Sequence, residues 1–357
     1  CRANYYSSYS PKIINSIRGL IGSETLGQTV GSTFDNKNVG SNKTISVNSI
    51  TLADGTNGGL AANYSISAGQ TTTAHIAPKS LTVSGNTASN KIYDSNSSAT
   101  VTVTLSGFVG SETLTYTNSS SFNNKNVGTG KTVTVDSISL ADGNNGGLAS
   151  NYSVAPGQTT TANITAKALT VSGITASSKT YDGSTSATLD TSSVLYSGLI
   201  AGDTFNGTYT GAFSDKNVGT GKTVTITSSY SGADSGNYSV TNQSSTTADI
   251  SSKALTATAS VSNKTYDATN SATATLTLAG LFGSETLGST NTSTFNNKNV
   301  GSNKTVTVNS ITLADGSNGG LAANYSISAG QTTTANITAK SLTVSGITAS
   351  NKIYDGN

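Results

Sequence analysis

Three observations predict an all-β chain built as a tandem array of small β-sandwich modules of about 87 residues. Apolar and polar residues alternate with period two in short runs, Gly/Asn/Asp turns separate those runs, and the sequence repeats itself. Alternation places apolar side chains on one face of a strand. No window holds a helical period. Many short strands punctuated by turns is the pattern of a sandwich rather than of a parallel sheet with helices.

The repeat is carried by three strings. K-N-V-G begins at Lys37, Lys125, Lys216 and Lys298. N-Y-S begins at Asn63, Asn151, Asn237 and Asn324, giving spacings of 88, 86 and 87. A K-[IT]-Y-D context recurs around Tyr93, Tyr181, Tyr266 and Tyr354. This period is too long for ankyrin, leucine-rich or propeller repeats and long enough for a domain with its own core.

Each element follows from its residues. L-T-V-S-G opens a module, followed by a strand such as Val101–Leu105 with Val101, Val103 and Leu105 on one face. A G-S-E-T-L turn comes next, then a longer strand with Val133 and Val135, a D-G-x-N-G-G turn, N-Y-S, and a closing A-N-I-T strand with Ile164. Boundaries fall at 1–79 (an incomplete first module), 80–167, 168–253 and 254–340, with 341–357 a first strand of a further module or a donor strand. The junctions carry no Gly or Pro run, which predicts an elongated, semi-rigid rod. Val133, Val135, Ile138, Leu140, Tyr152, Ile164, Leu169 and Val171 are the expected core, with Tyr64, Tyr152, Tyr238 and Tyr325 its recurring aromatic member.

Composition narrows the function. The chain is 34% hydrophobic and 10% charged with a net charge of +2, which argues against disorder and against a phosphate-backbone partner. No apolar stretch approaches a membrane span. No signal peptide is visible, so a mature or trimmed product is expected. The single cysteine, Cys1, forbids an internal disulfide; it is either a lipid attachment site or an arbitrary chain boundary.

Four linked motifs carry a family resemblance. K-T-Y-D-G at Lys179–Gly183, F-x-D-K-N-V-G-T-G-K-T-V-T at Phe213–Thr225, S-G-A-D-S-G-N-Y-S at Ser231–Ser239 and K-A-L-T at Lys253–Thr256 resemble the YDG/MBG-type repeats of large bacterial surface adhesins and filamentous-haemagglutinin-like proteins. The resemblance covers residues 19–357 and implies a bacterial, secreted β-module without supplying a ligand. Tyr93-Asp94-Ser95 and Tyr266-Asp267-Ala268 lack the glycine, so the turn is expected not to demand it. Asp234-Ser235-Gly236-Asn237-Tyr238 is also similar to the tyrosine corner of immunoglobulin-like sandwiches, which makes the expected module immunoglobulin-like.

Catalytic chemistry finds no footing. His75 is the only histidine, and Asn163, Asp249 and Asn336 replace it in the other copies, so zinc sites and histidine triads are excluded. Asp54, Asp142 and Asp315 in D-G-x-N-G-G are weak calcium candidates; calcium needs six to eight oxygens, and a glycine-permitted turn explains the same letters. Glu24, Glu112 and Glu285 in G-S-E-T-L are expected on solvated turns, and the K-N-V-G lysines at strand ends. The G-T-G-K-T strings lack the spacing of a phosphate loop.

The chain is therefore expected to be no enzyme and to hold no cofactor. The leading function is a stalk or spacer in a secreted or cell-surface adhesin, with any host ligand bound by a tip outside this sequence. The alternative is a subunit of an extracellular filament joined head-to-tail, in which Leu342, Val344 and Ile347 of the C-terminal strand enter the incomplete first module of the next copy. A carbohydrate-binding array is a further alternative. Neither nucleic acid nor a membrane span is expected.

Overall fold

The computed structural model describes residues 16–357. Cys1, and with it the lipid-site expectation, lies outside the described residues. The described chain is strand and turn; its helical residues are four single 3-10 turns directly before the N-Y-S tyrosines. It divides into two compact units, residues 1–167 and 168–357, each holding two modules.

A complete module is two sheets. In the second module, Lys79–Ala88 lies between Val101–Ser106 and Tyr152–Val154 in one sheet. The other sheet has the order Lys91–Ile92, Thr159–Thr165, Gly128–Asp142, Leu114–Phe122. The fourth module repeats this plan with Lys253–Val261 at the centre of the first sheet and Thr332–Thr338, Gly301–Asp315 and Leu287–Phe295 in the second. In the second and fourth modules the opening strand runs parallel to the N-Y-S strand, with Lys79 opposite Tyr152 and Lys253 opposite Tyr325. A second parallel pair sets Lys91 beside Ile164. These parallel pairs set the module apart from the antiparallel sheets of an immunoglobulin sandwich.

The first module departs from the plan. Its described strands, Leu26–Phe34, Gly40–Asp54 and Thr71–Ile76, form one sheet. Tyr64–Ile66, the counterpart of Tyr152–Val154, belongs to no described strand.

Alternation sets the core, with one correction. Val133, Val135, Tyr152, Ile164, Leu169 and Val171 are buried, whereas Ile138 and Leu140 are half-buried. Leu114–Phe122 pairs in register with Gly128–Asp142 until Ser120 meets Val135, and the next pair is Ser119 with Ser137. Asp136 is thus the extra residue of a β-bulge. A bulge reverses which side chains face which way. It therefore brings Ile138 and Leu140 onto the face of Val133 and Val135, although their numbers change parity. The third module has no extra residue: Gly219–Ser231 pairs with Asn206–Phe213 without a shift. Its strand is 13 residues long against 15 in the other three copies.

Candidate functional site: the junction between modules

Every module builds one braced loop at its entry end. In the first, second and fourth modules the D-G-x-N-G-G turn lies flat on the G-S-E-T turn. A β-carbon on Gly143 or Gly147 would sit 2.1 or 2.0 Å from the Thr113 carbonyl oxygen, so only glycine fits there. Asn145, at φ 57°, donates through Nδ2 to the Ser111 carbonyl at 3.0 Å. The N-Y-S tyrosine closes the brace from the other side. The Tyr152 hydroxyl donates to Glu112 at 2.7 Å and accepts from the Val109 N–H at 3.0 Å. Tyr64 does the same with Glu24 and Ile21, Tyr238 with Asp203 and Ile200, and Tyr325 with Glu285 and Phe282. All four copies thus carry the same tyrosine brace, whose partners lie 35 to 43 residues upstream rather than the few residues of an immunoglobulin tyrosine corner.

This loop is the receiving face of a module junction. In residues 168–357, Lys216 of the third module reaches Glu285 of the fourth at 2.7 Å, and the Tyr181 hydroxyl donates to the same Oε1 at 2.7 Å. With Tyr325 on Oε2, one buried carboxylate gathers three donors from two modules. Beside it, Val218 N–H donates to Asn324 Oδ1 at 2.9 Å, and Asn324 Nδ2 donates to Asn217 at 3.0 Å. The Tyr181 and Tyr325 rings meet edge to face at 5.4 Å. Gly183 makes room for Phe282: a β-carbon there would lie 2.2 Å from that ring. The apolar core runs straight through, since Tyr181, Phe213, Val224 and Ile250 share one cluster with Leu255 and Tyr325.

Residues 1–167 hold the same junction in a lighter form. Lys37 pairs with Glu112 at 2.7 Å, Val39 N–H donates to Asn151 Oδ1 at 2.8 Å, and Asn151 Nδ2 donates to Asn38 at 3.1 Å. Lys37 is largely exposed here, whereas Lys216 is better covered.

Burial alone would push the Glu285 carboxyl up, but hydrogen bonds from Lys216, Tyr181 and Tyr325 outweigh it and hold the group below its ordinary value. At Glu112 the Lys37 hydrogen bond is the chief influence and lowers the carboxyl, with Tyr152 adding to it. Burial, then the Glu285 hydrogen bond, pushes the Tyr325 hydroxyl up to about 12. These carboxylates are charged at neutral pH and act as acceptors.

The glutamates and lysines thus need correction. Neither a solvated turn nor a strand end describes Lys37, Glu112, Lys216 and Glu285, because their partners sit one module away. Tyr152, Tyr238 and Tyr325 are buried, and Tyr64 is half-buried, since no described strand covers its edge. Asp54, Asp142 and Asp315 each accept the backbone N–H seven residues on, at Ala61, Ala149 and Ala322, at 2.7 Å. That bond shapes the turn. Among the described residues no cluster of metal-ligating side chains is present, and His75 is exposed. At the third position of the Y-D-G turn Ser95 and Ala268 hold φ at 67°, beside Gly183 at 73°, so the backbone there is left-handed with or without glycine. Leu342, Val344 and Ile347 are exposed.

Fold and junction together define a tandem all-β repeat protein whose modules interlock through their most recurrent motifs. The chain belongs to the YDG domain family, whose model matches four times, at residues 8–74, 77–162, 165–248 and 251–335. No curated protein matches the chain.

Proposed function

We propose that this chain is a mechanical spacer in a secreted or surface-attached bacterial adhesin: a stalk that carries a binding tip and does no chemistry itself. One observation carries the reading. The residues that define the repeat, the K-N-V-G lysine and asparagine, the Y-D tyrosine, the G-S-E-T glutamate and the N-Y-S asparagine and tyrosine, are spent on fastening one module to the next. A binding array would keep its recurrent polar and aromatic side chains for a ligand. Here they face another module at Glu285 and Asn324. Neither metal nor cofactor has a part in the proposal.

A spacer must be extended. Four modules end to end span on the order of 130–150 Å. Small-angle scattering should return a maximum dimension in that range, and removing one module in register should shorten it by roughly a quarter. A maximum dimension below about 80 Å would sink the spacer reading. Labelling of intact source cells with a membrane-impermeant reagent tests the surface location.

A further inference from the structure

The third module differs from the second and fourth along one strand edge. Asn206–Phe213 pairs over its whole length with Gly219–Ser231 on one side. On the other side only Ser186 and Ala187 pair with it, opposite Ala212 and Gly211. The chain then crosses to the facing sheet, where Leu189 and Asp190 meet Ala176 and Thr175. The Phe213 N–H points to the open side, where it donates to the Thr185 carbonyl at 2.7 Å, and the Ser214 N–H points the other way, to Thr223. Main-chain groups alternate along a strand, so the N–H and C=O of Tyr209 and Gly207 also face the open side. Among the described residues no strand stands opposite them.

In the second and fourth modules side chains bridge this gap. Counted back from Phe122, Asn118 donates to the Val101 carbonyl at 3.1 Å, and the Tyr116 hydroxyl donates to the Val103 carbonyl. Counted back from Phe295, Asn291 donates to the Ala274 carbonyl at 2.9 Å. Counted back from Phe213, the same two places hold Tyr209 and Gly207. A β-carbon on Gly207 would lie 2.2 Å from the Tyr209 hydroxyl, so that ring runs back along its own strand, where its hydroxyl meets that of Tyr196 at 3.0 Å. The strand across the gap is broken too: Val101–Ser106 is continuous, whereas its counterpart is split into Leu189–Asp190 and Leu195–Ser197. The result is a slot of about 570 Å³ between Gly207–Gly211 and the stretch Ser186, Ala187, Leu189 and Thr191. None of these residues is charged, and Asn206–Phe213 holds no Lys or Pro of the kind that guards an open edge.

We propose that this slot binds an uncharged, extended peptide segment of another protein, added antiparallel to Gly207–Thr210 as the continuation of Ser186–Ala187. Main-chain donors and acceptors on an open edge call for main-chain groups in return, which is strand addition. Residues directly opposite in an antiparallel pair turn their side chains to the same face. The peptide residues opposite Tyr209 and Gly207 therefore turn inward, against the Tyr209 ring and Leu189, both half-buried. The residue between them lies beside Thr208, which is exposed. The sequence that fits alternates apolar residues with Thr or Ser and carries no charge. A saccharide is served less well, because no carboxylate or carboxamide lines the slot. The spacer reading stands with or without this site, because no junction residue lines it.

The test uses the full chain and the N-acetylated, C-amidated peptide S-A-T-V-T-V-T-L, the Ser98–Leu105 sequence, which has that alternation and no charge. The peptide should slow hydrogen exchange in Asn206–Phe213 at the Tyr209 and Gly207 amides. It should leave the Thr208 and Thr210 amides, which point to Gly219–Ser231, as they were. N-methylation of the peptide at Val101 and Val103 removes the donors that face the slot and should weaken binding about tenfold or more. N-methylation at Thr102 and Thr104 should leave binding unchanged. In the protein, Tyr209→Asn with Gly207→Tyr brings in the bridging residues of the second module and should abolish binding. No protection of Asn206–Phe213 at any soluble peptide concentration, equal binding by the two methylated peptides, unchanged binding by the double variant, or protection of these amides by maltose and not by the peptide overturns the proposal. Scattering tests the spacer reading separately.

Discussion

At the scale of single residues, the junction depends on a buried carboxylate that is more than compensated. A carboxylate with two tyrosine hydroxyls and an ammonium around it is stable only while charged and only while all three donors stay. Glu285→Gln keeps an acceptor for the tyrosines but leaves Lys216 unpaired; Glu285→Ala also strands the hydroxyls. Losing one side of a partly buried network costs roughly 2–3 kcal/mol. Hydrogen exchange at the Val218 amide, bound across the junction to Asn324, should therefore speed up about 30-fold or more in Glu285→Ala. The sign with pH follows. The folded carboxyl lies below its ordinary 4.5. Its contribution is complete above the unfolded value and is lost as pH falls through the lower folded one. Val218 protection should thus drop in acid in the wild type, and Glu285→Gln should flatten that dependence. A second residue-scale prediction concerns Ala268. Its backbone, at φ 67°, sits in a region that disfavours any β-carbon by about 1–2 kcal/mol. Ala268→Gly should raise the melting stability of the fourth module by about 1 kcal/mol, after the extra chain entropy of glycine is subtracted.

Among the elements, the long strand with its bulge separates what the sequence discloses from what it hides. Val133 and Val135 alternate openly, and Ile138 and Leu140 alternate out of phase with them. A one-residue phase change of this kind is itself the mark of an inserted residue, and the third module, one position short at this point, supplies the unbulged reference. Deleting Asp136 should convert the second module to the plan of the third, with Ser119 following Ser120 into unbroken register. The expected cost is within about 1 kcal/mol in a thermal melt followed by circular dichroism. Deleting Thr134 instead sends Val133 and Val135 to opposite faces and should abolish the transition of that module. Strands, turns and repeat boundaries were legible because period and turn chemistry are local. The junction was not, because Lys216 and Glu285 stand 69 positions apart and Val218 and Asn324 stand 106 apart. No spacing rule links such pairs. Yet a signal was present: the glutamate, lysine and asparagine recur in copies whose surface residues otherwise drift, and they lie outside the apolar alternation. A charge repeated once per module and unexplained by the core is accounted for by the only neighbour every module shares, which is another module.

For the molecule as a whole, the question is whether modules fold as beads or as a continuous body. Sequence reading gives each module its own core, and for the unit of residues 168–357 the structure joins two of them. Leu255 lies on the opening strand of the fourth module, yet it packs in one cluster with Tyr181, Phe213 and Ile250 of the third. The same strand pairs with Tyr325, whose hydroxyl holds the carboxylate that Tyr181 and Lys216 also hold. Apolar contact and polar network thus cross the boundary together, and opening either module exposes the other. Leu255→Ala removes a buried side chain and should cost about 2–5 kcal/mol. In a beaded chain only residues 254–340 would feel that loss. With a shared core, amides in the strand Ser245–Ser251 of the third module and in Thr332–Thr338 of the fourth should lose protection together and by similar factors, as one cooperative unit. Hydrogen exchange followed by mass spectrometry reads both strands in one experiment. Unchanged exchange in Ser245–Ser251 would show that the boundary uncouples the modules despite the bonds across it.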